Sequence, residues 1–188
     1  AVLNNPATPT VVAGLNYRNE GNDTLSFAEF SGIDGQNIQV TGSGQIGDNP
    51  GLGALAEDVD LVRIDVERGA TITVDVQAAS IGSNLDSFLR VFDAEGRPLR
   101  NSFGGLIQND NRPGSSDSSL TFTAPSSGIY YIGVSGAGNQ TYNAAVSGNA
   151  TAAGTTGNYN LVINVQRRLV PVVDGNRLQL DGASNVTL

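Results

Sequence analysis

The residue types that could do chemistry are concentrated in one stretch, Glu57-Asp58-Val59-Asp60-Leu61-Val62-Arg63-Ile64-Asp65-Val66. Strand alternation puts Val62, Ile64 and Val66 on one face and Arg63 and Asp65 on the other. Asp58 and Asp60 sit at the start of that strand and point the same way, in a chain without histidine, cysteine or lysine. Carboxylates crowded together without cations repel one another unless water, protons or a metal intervenes. A hard divalent cation is the simplest partner for such oxygens, and calcium is the expected one.

The elements that must position these groups are strands. The 188 residues are 39% hydrophobic and only 15% charged, with 24 glycines and many Thr, Val and Asn, the profile of a turn-rich all-β domain. A formal net charge of −8, with all ten cations being scattered Arg, excludes nucleic acid as a partner class. Without cysteine there are no disulfides and no thiol chemistry. No apolar run approaches the roughly 20 residues of a membrane span. A start at Ala1 rather than Met fits a secreted protein after signal-peptide removal, or a fragment of a longer polypeptide.

Strand signals recur with turns between them. Residues 71–76 alternate cleanly, and Glu67-Arg68-Gly69-Ala70 is read as a hairpin link from the preceding strand. Further strands are expected at 88–92, 119–123, 129–135 and around 159–165, with an earlier one at 38–46 interrupted by glycines. Tyr159, Leu161, Ile163 and Val165 should face inward, and Asn160 and Asn164 outward. Helical periodicity is almost absent, limited to a turn or two over 24–30. Residues 135–157 read as a long surface loop. The pattern predicts an all-β fold, an antiparallel jelly-roll-like β-sandwich with extended N- and C-terminal strand segments. It divides into an N-terminal extension (1–19), a sandwich (20–166) and a C-terminal extension (167–188).

Five motifs in fixed order carry a family resemblance. They are Asp58-Val59-Asp60-Leu61, the run from Gly82 to Asp93, Leu120-Thr121-Phe122-Thr123-Ala124-Pro125, the run from Gly128 to Val134, and Thr156-Gly157-Asn158-Tyr159-Asn160-Leu161. The series resembles the bacterial pre-peptidase C-terminal domain over roughly residues 20 to 166. The resemblance implies a jelly-roll sandwich appended to secreted peptidases or other surface proteins, with a non-catalytic binding or assembly role. Relatives in bacterial collagenases bind calcium and collagen, and in them an acidic N-terminal segment supplies ligands to the calcium, matched here by Glu20-Gly21-Asn22-Asp23. Gly21 stands where those relatives have proline and Arg18 where a further acidic ligand can occur, which weakens that site; Leu61 and Val62 also replace an aromatic after the Asp-x-Asp element, so collagen binding is not carried over.

Two constellations follow. The first joins Glu20, Asn22 and Asp23 with Asp48 and Asn49 and with Asp58 and Asp60, three segments of the kind from which calcium gathers six to eight oxygens. The second comprises Asp86, Asp110, Asn111 and Asp117. For both, the competing explanation is ordinary loop polarity, with Asn and Asp capping turns. No EF-hand spacing is present. Catalytic residues are expected to be none: without His or Cys the usual nucleophile–base devices and zinc sites cannot be built. Tyr130 and Tyr159 belong to the core by alternation, leaving Tyr131 pointing outward and Tyr142 in the loop as a possible ligand face. Asn22, Asn139, Asn149 and Asn185 open Asn-x-Thr triplets, which chance explains in so Asn- and Thr-rich a chain.

The resulting expectation is a secreted, calcium-binding, non-catalytic sandwich acting in cell-surface adhesion or assembly. Self-association by terminal strands added to a neighbour's sheet edge would make a filament subunit. Its partners would be further copies, or an extracellular protein or polysaccharide. The alternative is an accessory module of a larger secreted peptidase or other hydrolase, for substrate contact or secretion.

Overall fold

The computed structural model describes residues 11–17, 21–34, 39–148 and 154–167, together with the backbone of three short C-terminal strands. Ten strands build the body: β1 (Val11–Asn16), β2 (Glu29–Asp34), β3 (Gln39–Ile46), β4 (Val59–Val66), β5 (Thr71–Gln77), β6 (Ser87–Phe92), β7 (Gln108–Asn109), β8 (Ser119–Thr123), β9 (Gly128–Gly136) and β10 (Gly157–Gln166). One five-stranded sheet has the order β1-β3-β10-β5-β8 and the other β2-β4-β9-β6-β7. The all-β sandwich read from the sequence is the fold, with only two single-turn 3₁₀ segments and no α-helix among the described residues. The pairing is antiparallel except at one edge of each sheet, where β1 runs parallel to β3 and β2 parallel to β4.

Apart from β6 to β7, every connection passes from one sheet to the other. The link Glu67-Arg68-Gly69-Ala70 is therefore a corner between layers and not a hairpin. β4 pairs with β2 and β9, whereas β5 pairs with β10 and β8. Gly69, at φ 84°, makes the turn, and Ala70 is already in the core at 1% exposure. The two strands share an inward parity but face each other across the core instead of lying side by side.

That core follows the predicted alternation. Val62, Ile64 and Val66 of β4 meet Ile72, Val74 and Val76 of β5, and Tyr159, Leu161, Ile163 and Val165 of β10 are all buried. The strand at 29–34 escaped the sequence reading because its apolar signal is thin. Its buried positions are Ser31 and Ile33, and Gly32 between them takes φ 78°. A second, smaller cluster covers the outer face of the β4–β9–β6 sheet and contains Leu61, Phe92, Tyr131, Tyr142 and Ala144. Residues 137–148, expected to be surface loop, instead lie over this face, and Leu25 N–H donates to Ala144 C=O at 3.0 Å. Tyr131 and Tyr142 are 9% and 4% exposed and offer no ligand face. Tyr142 packs against Phe92 at 5.7 Å between ring centroids, with the Arg90 guanidinium 4.8 Å from each ring.

The described part of the N-terminal extension is β1, paired with β3 of its own chain. At the other end, β11 (Pro171–Asp174), β12 (Arg177–Leu180) and β13 (Val186–Thr187) pair with one another as a three-stranded sheet.

Two glycines of β3 are required by the core. A Cβ at Gly42 would collide with the Tyr17 ring, and one at Gly44 with the Tyr159 ring and hydroxyl. Both tyrosines are essentially fully buried, and the slot at Gly44 lets the Tyr159 hydroxyl reach Asp60 at the end of the sandwich where β4 begins.

Candidate metal centre

That end is assembled from three turns. Asn22 and Asp23 lie in the turn before β2, Asp48 and Asn49 follow β3, and Asp58 and Asp60 open β4. The first turn is stitched to β4 by Leu61 N–H donating to Asn22 C=O at 3.1 Å and Val59 N–H to Asp23 Oδ1 at 3.3 Å. Because Asp58 and Asp60 share the inward parity of Val62, alternation drives both carboxyl groups into the body, where each residue is 0% exposed.

Each buried carboxyl group is met differently. Asp60 accepts from Asn22 Nδ2 on Oδ1 at 2.8 Å and from the Tyr159 hydroxyl on Oδ2 at 2.5 Å. Burial, and then the neighbouring Asp60, push the Tyr159 phenol well above its ordinary range, so it stays a donor. Asp58 Oδ2 accepts from the backbone N–H of Gly47 at 2.6 Å and of Asp48 at 3.3 Å. Asp23 Oδ2 accepts from Asn49 Nδ2 at 2.5 Å, and Asn49 Oδ1 in turn accepts from Gly51 N–H at 2.8 Å. Three buried oxygens receive nothing: Asn22 Oδ1, Asp48 Oδ1 and Asp58 Oδ1. No ion pair among the described residues reaches Asp23, Asp48 or Asp58.

The electrostatic result is a strained acid. Burial lifts the Asp58 carboxyl, the Gly47 amide pulls it down and the adjacent Asp23 and Asp48 charges push it up again, so that it comes to rest at about 7. Beside Asp23 and Asn49 a depression of about 390 Å³ opens to the surface, bordered by Thr24 and Phe27.

The structure thus gathers Asn22, Asp23, Asp48, Asn49, Asp58 and Asp60 at one end, while Glu20 lies outside the described residues. Among the described residues no three Asp or Glu side chains alone form a group disposed to hold a metal. Any complete ligand set would draw on amide oxygens such as Asn22 Oδ1 as well. Two residues matter here that the sequence places only in the core or only in a chance Asn-x-Thr triplet. Tyr159 holds Asp60, and Asn139 donates to Glu57 C=O at 3.1 Å behind Asp58. Asn139 is 0% exposed and Asn22 1%, so neither can be a glycan acceptor in the folded chain.

In the second constellation Asp86 and Asp110 are neighbours. Each keeps one buried oxygen without a partner, and burial followed by the Asp110 charge raises the Asp86 carboxyl. Asn111 is exposed. Asp117 is drawn away and fully used, accepting from Ala78 and Ala79 N–H at 2.9 Å and from Arg112 Nη2 at 3.0 Å.

The Tyr159–Asp60 contact makes its own prediction. Removing the hydroxyl in Tyr159→Phe leaves Asp60 Oδ2 short of a donor, for a loss of about 1–3 kcal/mol. Urea unfolding should show a lower midpoint with an unchanged slope. An unchanged midpoint would mean that Asp60 is satisfied without the phenol.

Comparison with known proteins bears out the resemblance. The family model of the bacterial pre-peptidase C-terminal domain matches residues 58–136, from Asp58 of the acidic end to the close of β9. Over 79 residues, 42% of this chain, the sequence is 39% identical to a probable subtilase-type serine protease of Deinococcus radiodurans. The matched part is 10% of that protein's length, so this chain spans a small fraction of the curated relative. Similar solved structures include the pre-peptidase C-terminal domain of collagenase from Bacillus anthracis, at 11% identity and a TM-score of 0.41 over 85% of this chain and 100% of that one. PliG of Aeromonas hydrophila, a periplasmic inhibitor of g-type lysozyme, aligns at 16% identity and a TM-score of 0.39, with 85% and 100% covered.

Proposed function

We propose that this chain is a non-catalytic accessory module of a secreted, peptidase-type protein, that its acidic end is held together by calcium, and that it makes extracellular protein contacts. The observation that carries the module reading is the family-model match of residues 58–136, beside a 79-residue likeness to a subtilase-type protease of much greater length. A sequence without His or Cys supports the absence of catalysis.

Calcium is supported by the character of the oxygens. Asn22 Oδ1, Asp48 Oδ1 and Asp58 Oδ1 are buried and undonated, which is costly without a cation or water and suits a hard ion that takes oxygen ligands. Asn22, Asp23, Asp48 and Asp58 would hold the ion, with Asn49 and the Asp60–Tyr159 pair keeping those ligands in place. The ion would supply positive charge where the described residues place no Arg.

Thermal melting in calcium and in chelator tests this part. An ion bound only by the folded state at a hundredfold excess over its dissociation constant adds about 2.7 kcal/mol, which raises the melting temperature by several degrees. Superimposable curves would remove calcium from the proposal and leave the module reading intact. Adhesion or filament formation is supported only by the exposed sheet edges.

A further inference from the structure

The four edges of the sandwich are not equally protected against strand addition. β2 carries Glu29 and Asp34, β7 is two residues long, and β1 is broken by a register shift between Val12 and Leu15. Charges, short length and bulges are the devices that blunt an edge. β8 has none of them: Ser119-Leu120-Thr121-Phe122-Thr123 is regular, uncharged and paired on one side only, with β5.

The direction of its free backbone groups follows from the ladder. Val76 N–H donates to Ser118 C=O and Ala124 N–H to Ala70 C=O, so by alternation Leu120 and Phe122 bond to β5. Ser119, Thr121 and Thr123 then face away, and Ser119 N–H indeed donates outward to Asn109 Oδ1 at 3.1 Å. Thr121 and Thr123 border a groove of about 640 Å³ whose other wall is the arm 98–107, with Arg100, Leu106 and Ile107. At the arm's tip Phe103 is 96% exposed, on a turn fixed by Asn101 Oδ1 accepting from Phe103 and Gly105 N–H.

We infer that the β8 edge is an acceptor for an extended strand, and that its occupant is residues 1–10 of a second copy of this chain. The groove holds no carboxylate, and its one charged side chain, Arg100, already donates to Gly104 C=O. Residues 1–10 carry no charged side chain, so seating their side chains buries no unpaired ion. Pro6 and Pro9 still leave Leu3, Asn5 and Ala7 with N–H groups on one side, enough to match Thr121 and Thr123. Those ten residues lead into β1, at the opposite edge of the same sheet from β8. A copy that gives at one edge and receives at the other makes a heterologous contact, which propagates unless it closes. This goes beyond the module reading and holds or fails independently of calcium.

The test is sedimentation of the full chain over a concentration series, with a synthetic peptide of residues 1–10 as competitor. Self-association should be reversed by the peptide and not by a scrambled one. Thr121→Pro removes an outward N–H and the Thr73–Thr121 hydroxyl contact of 3.1 Å but no backbone bond to β5, and should weaken association about tenfold while still melting cooperatively. A chain that stays monomeric and binds no labelled peptide overturns the inference. So does association that survives both an excess of peptide and a folded Thr121→Pro variant. If that variant does not fold, peptide competition on the parent chain decides alone.

Discussion

In chelator, Asp58→Asn is expected to be more stable than the parent at pH 8 and nearly equal to it at pH 4. The folded carboxyl sits at about 7 because burial, and then Asp23, oppose its charge. The unfolded group ionises near 4. Between these values the folded state holds more protons than the unfolded one, so the parent loses stability as pH rises from about 4 to about 7 and is flat above. Three pH units at 1.36 kcal/mol each set an upper bound of about 4 kcal/mol on this term. The variant lacks it, and its amide can turn an N–H toward Asp23. If Asp58 holds the proposed ion, calcium should reverse the comparison, because proton and ion would compete for the same carboxylate and the parent's calcium response would grow toward pH 8. The variant should show little response. Parallel pH–stability curves for the two proteins in chelator would refute the buried acid. An undiminished calcium response in the variant would refute Asp58 as a ligand.

Gly44→Ala should be among the most damaging single-methyl changes in the chain. Gly44 lies directly opposite Tyr159 in the β3–β10 ladder, and the added Cβ would occupy the space of the ring and hydroxyl. The ring cannot step aside within a close-packed core without releasing Asp60, so overpacking and a lost hydrogen bond combine to about 3 kcal/mol. Gly53→Ala is the control, with nothing within 4 Å of the added carbon, and should change stability little. Pairing Gly44→Ala with Tyr159→Phe distinguishes the routes. The double variant should cost less than the sum, because both single changes break the same Asp60 contact. Strict additivity would show that the methyl acts elsewhere.

Much of this architecture is legible in residue order. Period-two alternation located β5, β6, β8, β9 and β10 within a residue or two and oriented Tyr159 correctly, because strands buried on one face repeat every second residue. What alternation cannot supply is which strand lies beside which. Glu67-Arg68-Gly69-Ala70 has hairpin chemistry, yet the chain uses it to change layers, since pairing partners are set by the whole sheet. The acidic end was legible as a grouping, and the six described residues of the first constellation do converge. Its inner arrangement was not, because the Asp60–Tyr159 bond spans 99 residues of sequence. Tyr142 failed as a surface residue for a related reason: a Gly- and Asn-rich segment reads as solvated even when it lies over apolar side chains.

The place of β10 between β3 and β5 has a consequence for the order in which the molecule can be completed. The last strand of the body joins two pairs, β1–β3 and β5–β8, that otherwise share no ladder. Until residue 166 has been made, one layer exists only as two separate ribbons, and the inner side chains of the other have nothing continuous to close upon. Growth from the N-terminus therefore yields no stable intermediate of this layer, and the transition to the finished body waits for the C-terminal strand.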